Sequence, residues 1–152
     1  MKPKYFVLDV DGVLSTGQFL YSSKGKAYKI FGPHDADGLK MLKGCLEVSF
    51  ISADLKGFSI SKKRVSDMGY RLAKVSEEER GSFIDKKFGL KNVIYMGDGY
   101  HDVPLLKACA FGIAPASARP EARKAADFVT ASKAGEGAIL DACLEIIKRY
   151  FS

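Results

Sequence analysis

The chain alternates short, continuously apolar segments with segments of helical pattern, and this alternation restricts its fold more than any other feature. The apolar segments are short and β-branched without polar alternation, as in strands buried on both faces of a sheet, and three of them are 5–10, 46–52 and 92–96. Helices are predicted between and after them, as at 58–68 and 137–150. Strand–helix alternation predicts an α/β fold of three layers, with helices on both faces of a doubly wound parallel sheet.

One departure from this alternation is a predicted β-hairpin at about residues 17–31, with Gly25 in its turn. It forms an arm on a single domain covering residues 1–152. The sequence between the first and second strands and the sequence after the second strand are filled by predicted elements. Neither stretch can therefore hold an inserted cap domain, and the predicted site is open.

Composition excludes several other classes of protein. The excess of 24 basic over 18 acidic residues gives a net charge of +6, but no run reaches five like charges and no nucleic-acid-binding motif occurs. No apolar run is long enough to cross a membrane, and no signal peptide is recognisable. The three scattered cysteines, Cys45, Cys109 and Cys143, argue against a disulfide framework or zinc site and favour the cytoplasm.

Polar residues follow the predicted core strands where each strand ends. Asp9 and Asp11 end the first strand, Ser52 ends the second, and Asp98 and Asp102 follow a later one. In open parallel sheets the carboxyl ends of the strands form the ligand site. A DxD or GDG segment alone is often only a turn, but two such segments after buried strands predict a shared site. Four carboxylates together suggest a bound cation, and an all-oxygen site suits Mg²⁺.

These residues resemble the motifs of a known superfamily. The segment Asp9-Val-Asp-Gly-Val-Leu14, Ser52 after its strand, and Gly97-Asp98-x-x-x-Asp102 resemble motifs I, II and IV of the haloacid dehalogenase superfamily. The hairpin and three further segments are similar to the small 3-deoxy-manno-octulosonate 8-phosphate phosphatases and the related domains of acylneuraminate cytidylyltransferases; the segments are Phe31-x-x-x-Asp35, Ala114–Ala118 and Gly135-x-Gly137-Ala138.

The resemblance implies roles for the carboxylates and for Ser52. Asp9 would be the nucleophile that forms an aspartyl-phosphate, and Asp11 would be the general acid and then the general base. Mg²⁺ would be held by Asp9, the Asp11 backbone carbonyl and Asp98. Asp102 would bind the metal through water or orient the site, and Ser52 would hydrogen-bond a phosphate oxygen.

Members of the family also use a basic residue near the start of the helix that precedes motif IV. Arg80 is the first candidate for this phosphate contact and Lys74 the second, each with the alternative of an exposed surface charge. Three further positions are expected near phosphate or substrate: Gly12, Ala53 and Asp35. At the mouth of the site the chain departs from its relatives, with Thr16 before Gly17, Ala53-Asp54 after Ser52, and Ala36 after Asp35. These departures concern substrate specificity more than the reaction.

The predicted function is a Mg²⁺-dependent phosphomonoesterase acting on a phosphorylated sugar acid, of the octulosonate 8-phosphate or nonulosonate 9-phosphate kind. Two alternatives stay open: a phosphotransferase or mutase on the same fold, and a non-catalytic domain that stabilises an assembly. The expected partner is a small phosphorylated anion, with no nucleic acid and no membrane. The apolar residues Phe19, Tyr21 and Tyr28 of the hairpin have no evident core to join, and the resemblance implies a homotetramer formed through this arm.

Overall fold

The computed structural model describes residues 1–152, and the elements are those the sequence predicts, with shifted boundaries. The strands are β1 (Tyr5–Asp9), β2 (Ser15–Ser22), β3 (Gly25–Phe31), β4 (Glu47–Ser52), β5 (Leu72–Lys74), β6 (Val93–Met96), β7 (Phe111–Ala114) and β8 (Phe128–Val129). The α-helices are α1 (Asp35–Lys40), α2 (Phe58–Asp67), α3 (Arg80–Phe88), α4 (Val103–Ala108), α5 (Pro120–Ala125) and α6 (Ala138–Tyr150).

Six strands form one sheet in the order β5-β4-β1-β6-β7-β8, and every pairing in it is parallel. The chain runs from β1 outward through β4 to β5 and then returns to place β6 on the other side of β1. The order of the strands therefore reverses beside β1, and a crevice opens at the carboxyl ends of β1 and β6. This is the position at which parallel sheets bind ligands.

The sheet separates two apolar cores, which makes the fold three-layered. Successive residues of a strand face opposite sides, so Phe6 and Leu8 pack with α1, α2 and α6, while Val7 packs with α3, α4 and α5. All three of these β1 side chains are 0% exposed. The predicted doubly wound α/β architecture is confirmed, and burial on both faces explains why β1 is apolar at every position before Asp9.

Outside the sheet, β2 and β3 pair antiparallel as the predicted hairpin. Much of its surface faces solvent: Tyr21 is 71% exposed, Tyr28 67% and Leu20 59%. No other domain is inserted between the strands that carry the site.

The sequence also predicts helices at residues 37–43 and from Ser76 to Phe88, and both begin at other residues in the structure. The helix predicted at residues 37–43 is α1, which begins two residues earlier and gives way to turns before Gly44. The helix predicted to begin at Ser76 begins at Arg80, because residues 77–79 form a turn in which Ser76 Oγ accepts the Glu79 N–H at 3.2 Å. No helix has the length and apolar character needed to span a membrane.

Candidate active site

Three carboxylates meet at the crevice between β1 and β6. Asp9 is the last residue of β1, and Asp98 and Asp102 lie in the segment that follows β6. One oxygen from each of these three side chains lies within 4.8 Å of the others. The parallel pairing of β1 with β6 brings the two sequence motifs together, as their position after buried strands predicts.

Asp102 is held by hydrogen bonds from several directions. Its Oδ1 accepts from Arg80 Nη1 at 2.8 Å and from the Tyr95 hydroxyl, and its Oδ2 accepts the backbone N–H groups of Asp98 at 3.1 Å and Gly99 at 2.9 Å. The residue is only 2% exposed. With both oxygens engaged, Asp102 fixes the loop that presents Asp98, which fits the orienting role among the two that were predicted.

Arg80 lies in the first turn of α3 and reaches into the same cluster. Its Nη1 lies 3.5 Å from Asp9 Oδ2 and 3.2 Å from the Tyr95 hydroxyl, in addition to its bond with Asp102. Its Nε is buried without a hydrogen-bond partner. The side chain is only 4% exposed. Arg80 is therefore not the exposed surface charge of the alternative interpretation.

The electrostatics of the cluster favour a cation. Burial raises the pKa of Asp9 well above its ordinary value, since the nearby Arg80 offsets only part of the desolvation and Asp102 and Asp98 raise it further. Burial and the charge of Asp102 raise the pKa of Asp98 to about 7. Crowded carboxylates that resist ionisation, with an all-oxygen donor set, fit a hard divalent cation such as Mg²⁺.

Asp11 lies beside this cluster on the turn that follows β1. Its Oδ1 accepts the hydroxyl of the buried Ser15 at 3.1 Å, and the same Ser15 Oγ accepts the Gly17 N–H at 3.2 Å. Gly12 has a φ of +79°, and a Cβ there would overlap the Asp98 carboxylate at 1.8 Å. Only glycine allows the turn and the aspartate to approach so closely.

The crevice is a cleft of about 490 Å³. Of the predicted site residues, seven line it: Asp9, Asp11, Ser52, Ala53, Arg80, Asp98 and Asp102. Ser52 is only 1% exposed, and its Oγ accepts the Asp54 N–H at 3.2 Å, so the hydroxyl proton is free for a ligand oxygen. His101 and Glu77 also line the cleft, and His101 Nε2 lies 3.1 Å from the Glu77 carboxylate.

Lys74 does not line the cleft. It ends β5, an edge strand, and its Nζ lies over the ring of Phe58, 4.9 Å from the centroid. Its place beside Ser52 in the sheet register brings its backbone near the site, but its side chain packs on α2 instead. Of the two cations predicted for the phosphate contact, the structure brings only Arg80 into the cleft.

Asp35 also differs from its predicted place. It begins α1 with a fully buried side chain, neither carboxylate oxygen has a hydrogen-bond partner, and it does not line the cleft. The helix that Asp35 begins packs on α6, which turns this residue into the interior rather than toward substrate.

The burial of Asp35 predicts a pH-dependent stability. Burial raises its pKa from 3.8 to about 6, although the nearby Arg64 lowers it. Because this acid has the higher pKa in the folded state, its charge destabilises the protein above pH 6, and stability is recovered as pH falls toward 4. Asp35→Asn should increase the free energy of unfolding at pH 8 by on the order of 3 kcal/mol, with little change near pH 4. Urea unfolding at both pH values measures this, and the exposed Asp37→Asn should change it by less than about 0.5 kcal/mol at either.

Residues that sequence reasoning missed come from the hairpin and from the loop after β4. Lys29 on β3 is 1% exposed, and its Nζ lies 3.0 Å from Asp11 Oδ1 and 2.8 Å from Asp54 Oδ2. Lys26 contacts Asp54 at 2.9 Å and lines the cleft. Burial alone would raise the pKa of Asp54, but hydrogen bonds from Lys29 and Lys26 lower it to about 2. The only signal in the sequence was the departure at Asp54, since basic residues in a hairpin are usually solvated.

Known proteins are similar to this chain in both sequence and fold. A haloacid dehalogenase-like hydrolase family model matches residues 83–142. The 3-deoxy-D-manno-octulosonate 8-phosphate phosphatase of Haemophilus influenzae is 33% identical over 141 residues, which cover 89% of this chain and 77% of that protein. The enzyme of the same name from Escherichia coli K12 is 30% identical over 146 residues, covering 92% of this chain and 77% of the relative.

Solved structures of phosphatases with this name are also similar to this chain. The phosphatase of the same name from Moraxella catarrhalis, in complex with magnesium, phosphate and KDO, superimposes with a TM-score of 0.85 at 28% identity, covering 96% of this chain and 86% of that one. The cobalt-bound enzyme from Haemophilus influenzae gives 0.82 at 31% identity, covering 97% and 88%. Because the similarity extends over most of both chains, this chain belongs to the haloacid dehalogenase-like hydrolases, in the phosphatase group that contains the 3-deoxy-D-manno-octulosonate 8-phosphate phosphatases.

Proposed function

We propose that the chain hydrolyses the phosphate monoester of a small sugar acid in a Mg²⁺-dependent reaction. The observation that carries the proposal is the convergence of Asp9, Asp98 and Asp102 within 4.8 Å, with Arg80 beside them. The relatives support the substrate class, because those named here are phosphatases of a phosphorylated eight-carbon sugar acid. The magnesium, phosphate and KDO bound by the Moraxella catarrhalis enzyme support both the metal and the ligand.

In the first half of the reaction, an Asp9 carboxylate oxygen attacks the phosphorus atom. The bond between phosphorus and the sugar oxygen breaks, and Asp11 gives its proton to the departing alkoxide. The Val10 N–H donates to Asp9 Oδ1 at 2.8 Å and holds the nucleophile in place. In this proposal Arg80 and the Ser52 hydroxyl bind the phosphate oxygens.

In the second half, Asp11 removes a proton from water, and the water oxygen attacks the phosphorus of the aspartyl-phosphate. The acyl phosphate bond breaks and returns Asp9 to its carboxylate form. Asp9, Asp98 and the Asp11 backbone carbonyl would hold the Mg²⁺, which offsets the repulsion between the anionic nucleophile and the phosphate. Asp102 keeps Asp98 in position through its backbone contacts.

The open cleft supports an assembly of several copies. No inserted domain closes it, and the hairpin exposes Leu20, Tyr21 and Tyr28. We propose that this arm packs on another copy as part of a homotetramer, which would cover the apolar surface. A monomer in light scattering would contradict this.

We also place the protein in the cytoplasm, a proposal supported by its three unpaired cysteines.

The test of the proposed function is hydrolysis of p-nitrophenyl phosphate followed by a panel of phosphorylated sugars. Activity with Mg²⁺ should disappear in EDTA and return with added Mg²⁺. Within the panel, kcat/KM should be highest for eight- or nine-carbon sugar acid phosphates. No hydrolysis of any member with Mg²⁺ would contradict the proposed reaction. Equal rates on sugar phosphates that lack a carboxylate would contradict the proposed substrate class.

A further inference from the structure

Lys29 has three polar partners, each on a different part of the fold. Its ammonium lies 3.0 Å from Asp11 on the turn after β1, 2.8 Å from Asp54 on the loop after β4, and 2.8 Å from the Ser61 hydroxyl on α2. These partners match the three donors of an ammonium group. With a side chain only 1% exposed, Lys29 depends on these partners to offset the loss of its hydration.

The backbone at Gly57 lies close to the Lys29 side chain. A Cβ on Gly57 would lie 2.4 Å from Asp54 Oδ2, 2.7 Å from Lys29 Cε and 3.0 Å from Lys29 Nζ, so a side chain there would displace the aspartate or the lysine. The Gly57 N–H also donates to Asp54 Oδ1 at 3.2 Å. The Lys29 side chain is therefore enclosed by neighbouring residues and does not lie on the surface.

Without Lys29, Asp11 would keep a single side-chain partner, the Ser15 hydroxyl at 3.1 Å. Its carboxylate is 34% exposed and would lose the one cation that it shares with Asp54, while Asp54 would keep Lys26. Both effects would allow the Asp11 side chain to rotate out of the position that it holds beside Lys29. A displacement of about 1 Å in a catalytic group can cost about 100-fold in rate.

We propose that Lys29 is a positioning residue that holds the Asp11 carboxyl where the leaving oxygen is protonated. The inference rests on the proposed function, because it assumes that Asp11 is the general acid. It assigns the hairpin a role within the subunit, since β3 supplies the cation that orients a group on the turn after β1.

The readout is the dependence of kcat/KM on the leaving group, because kcat/KM reports the step in which the alcohol departs. p-Nitrophenolate leaves without a proton, whereas phenolate is a stronger base and gains from a general acid. In Lys29→Met, kcat/KM for phenyl phosphate should fall about 100-fold, and kcat/KM for p-nitrophenyl phosphate should fall by less than about 5-fold. A purely structural role would lower both by the same factor.

Lys24→Met is the matched control, since it removes the same charge from an exposed position in the hairpin turn and should leave both values unchanged. If Lys29→Met does not fold, Lys29→Met with Asp54→Asn also removes the second carboxylate that faces Lys29, and it should show the same difference between the two substrates. An equal fall for both substrates in the folded variant overturns the proposal and leaves the phosphatase function intact. Inactivity of the wild type on both substrates would overturn the proposed function itself.

Discussion

Asp9→Asn should abolish turnover while leaving the fold intact. An amide cannot attack phosphorus to form the acyl phosphate, so kcat for p-nitrophenyl phosphate with Mg²⁺ should fall at least about 10⁴-fold. Stability should not fall, because burial raises the pKa of Asp9 and the substitution removes one of three crowded carboxylates. A steady-state assay and thermal melting in EDTA measure the two effects.

The exposed Asp37→Asn is the matched control for this substitution and should retain full activity. Residual activity of Asp9→Asn above about one tenth of wild type would exclude Asp9 as the nucleophile. A lower melting temperature in EDTA would contradict the claim that the carboxylates repel one another. The combination of inactivity with unchanged or higher stability separates a chemical role from a structural one.

Arg80→Met should damage both stability and activity. It removes the only cation within ion-pairing distance of Asp9 and Asp102, and it leaves Asp102, at 2% exposure, without a charged partner. Loss of one member of a buried ion pair costs about 3–5 kcal/mol, which urea unfolding will detect. Activity of the folded fraction should fall on the order of 10³-fold, because the phosphate loses its fixed cation.

Arg71→Met provides the control, since this arginine has an exposed side chain and should change stability by less than about 0.5 kcal/mol. Arg80→Lys should recover part of the stability, because a single nitrogen, Nη1, contacts Asp9, Tyr95 and Asp102. A stable and active Arg80→Met would show that the phosphate is held elsewhere. Lys26 would then be the next cation to test, since it also lines the cleft.

The place of the acidic residues could be predicted because it depends on local sequence and on one rule of topology. A buried parallel strand must be apolar along its length, so the first polar residues after it mark its carboxyl end. Asp9 and Asp98 follow two such strands, and parallel pairing brings those ends together. Local patterns also predicted the hairpin, whereas the two alternatives for Asp102 came from the family resemblance.

The sequence by itself thus determined the α/β architecture, the acidic cluster and the family resemblance, because each depends on short-range pattern and strand order. Only the tertiary structure decided which cation enters the cleft, since Lys74 ends β5, Arg80 begins the next helix, and the two differ in where their side chains pack. It also turned Asp35 into the interior and brought Lys29 to Asp11 at 3.0 Å across 18 positions of sequence. These outcomes depend on how the hairpin and α1 pack on the rest of the molecule, and strand and helix patterns do not encode the direction of a long charged side chain.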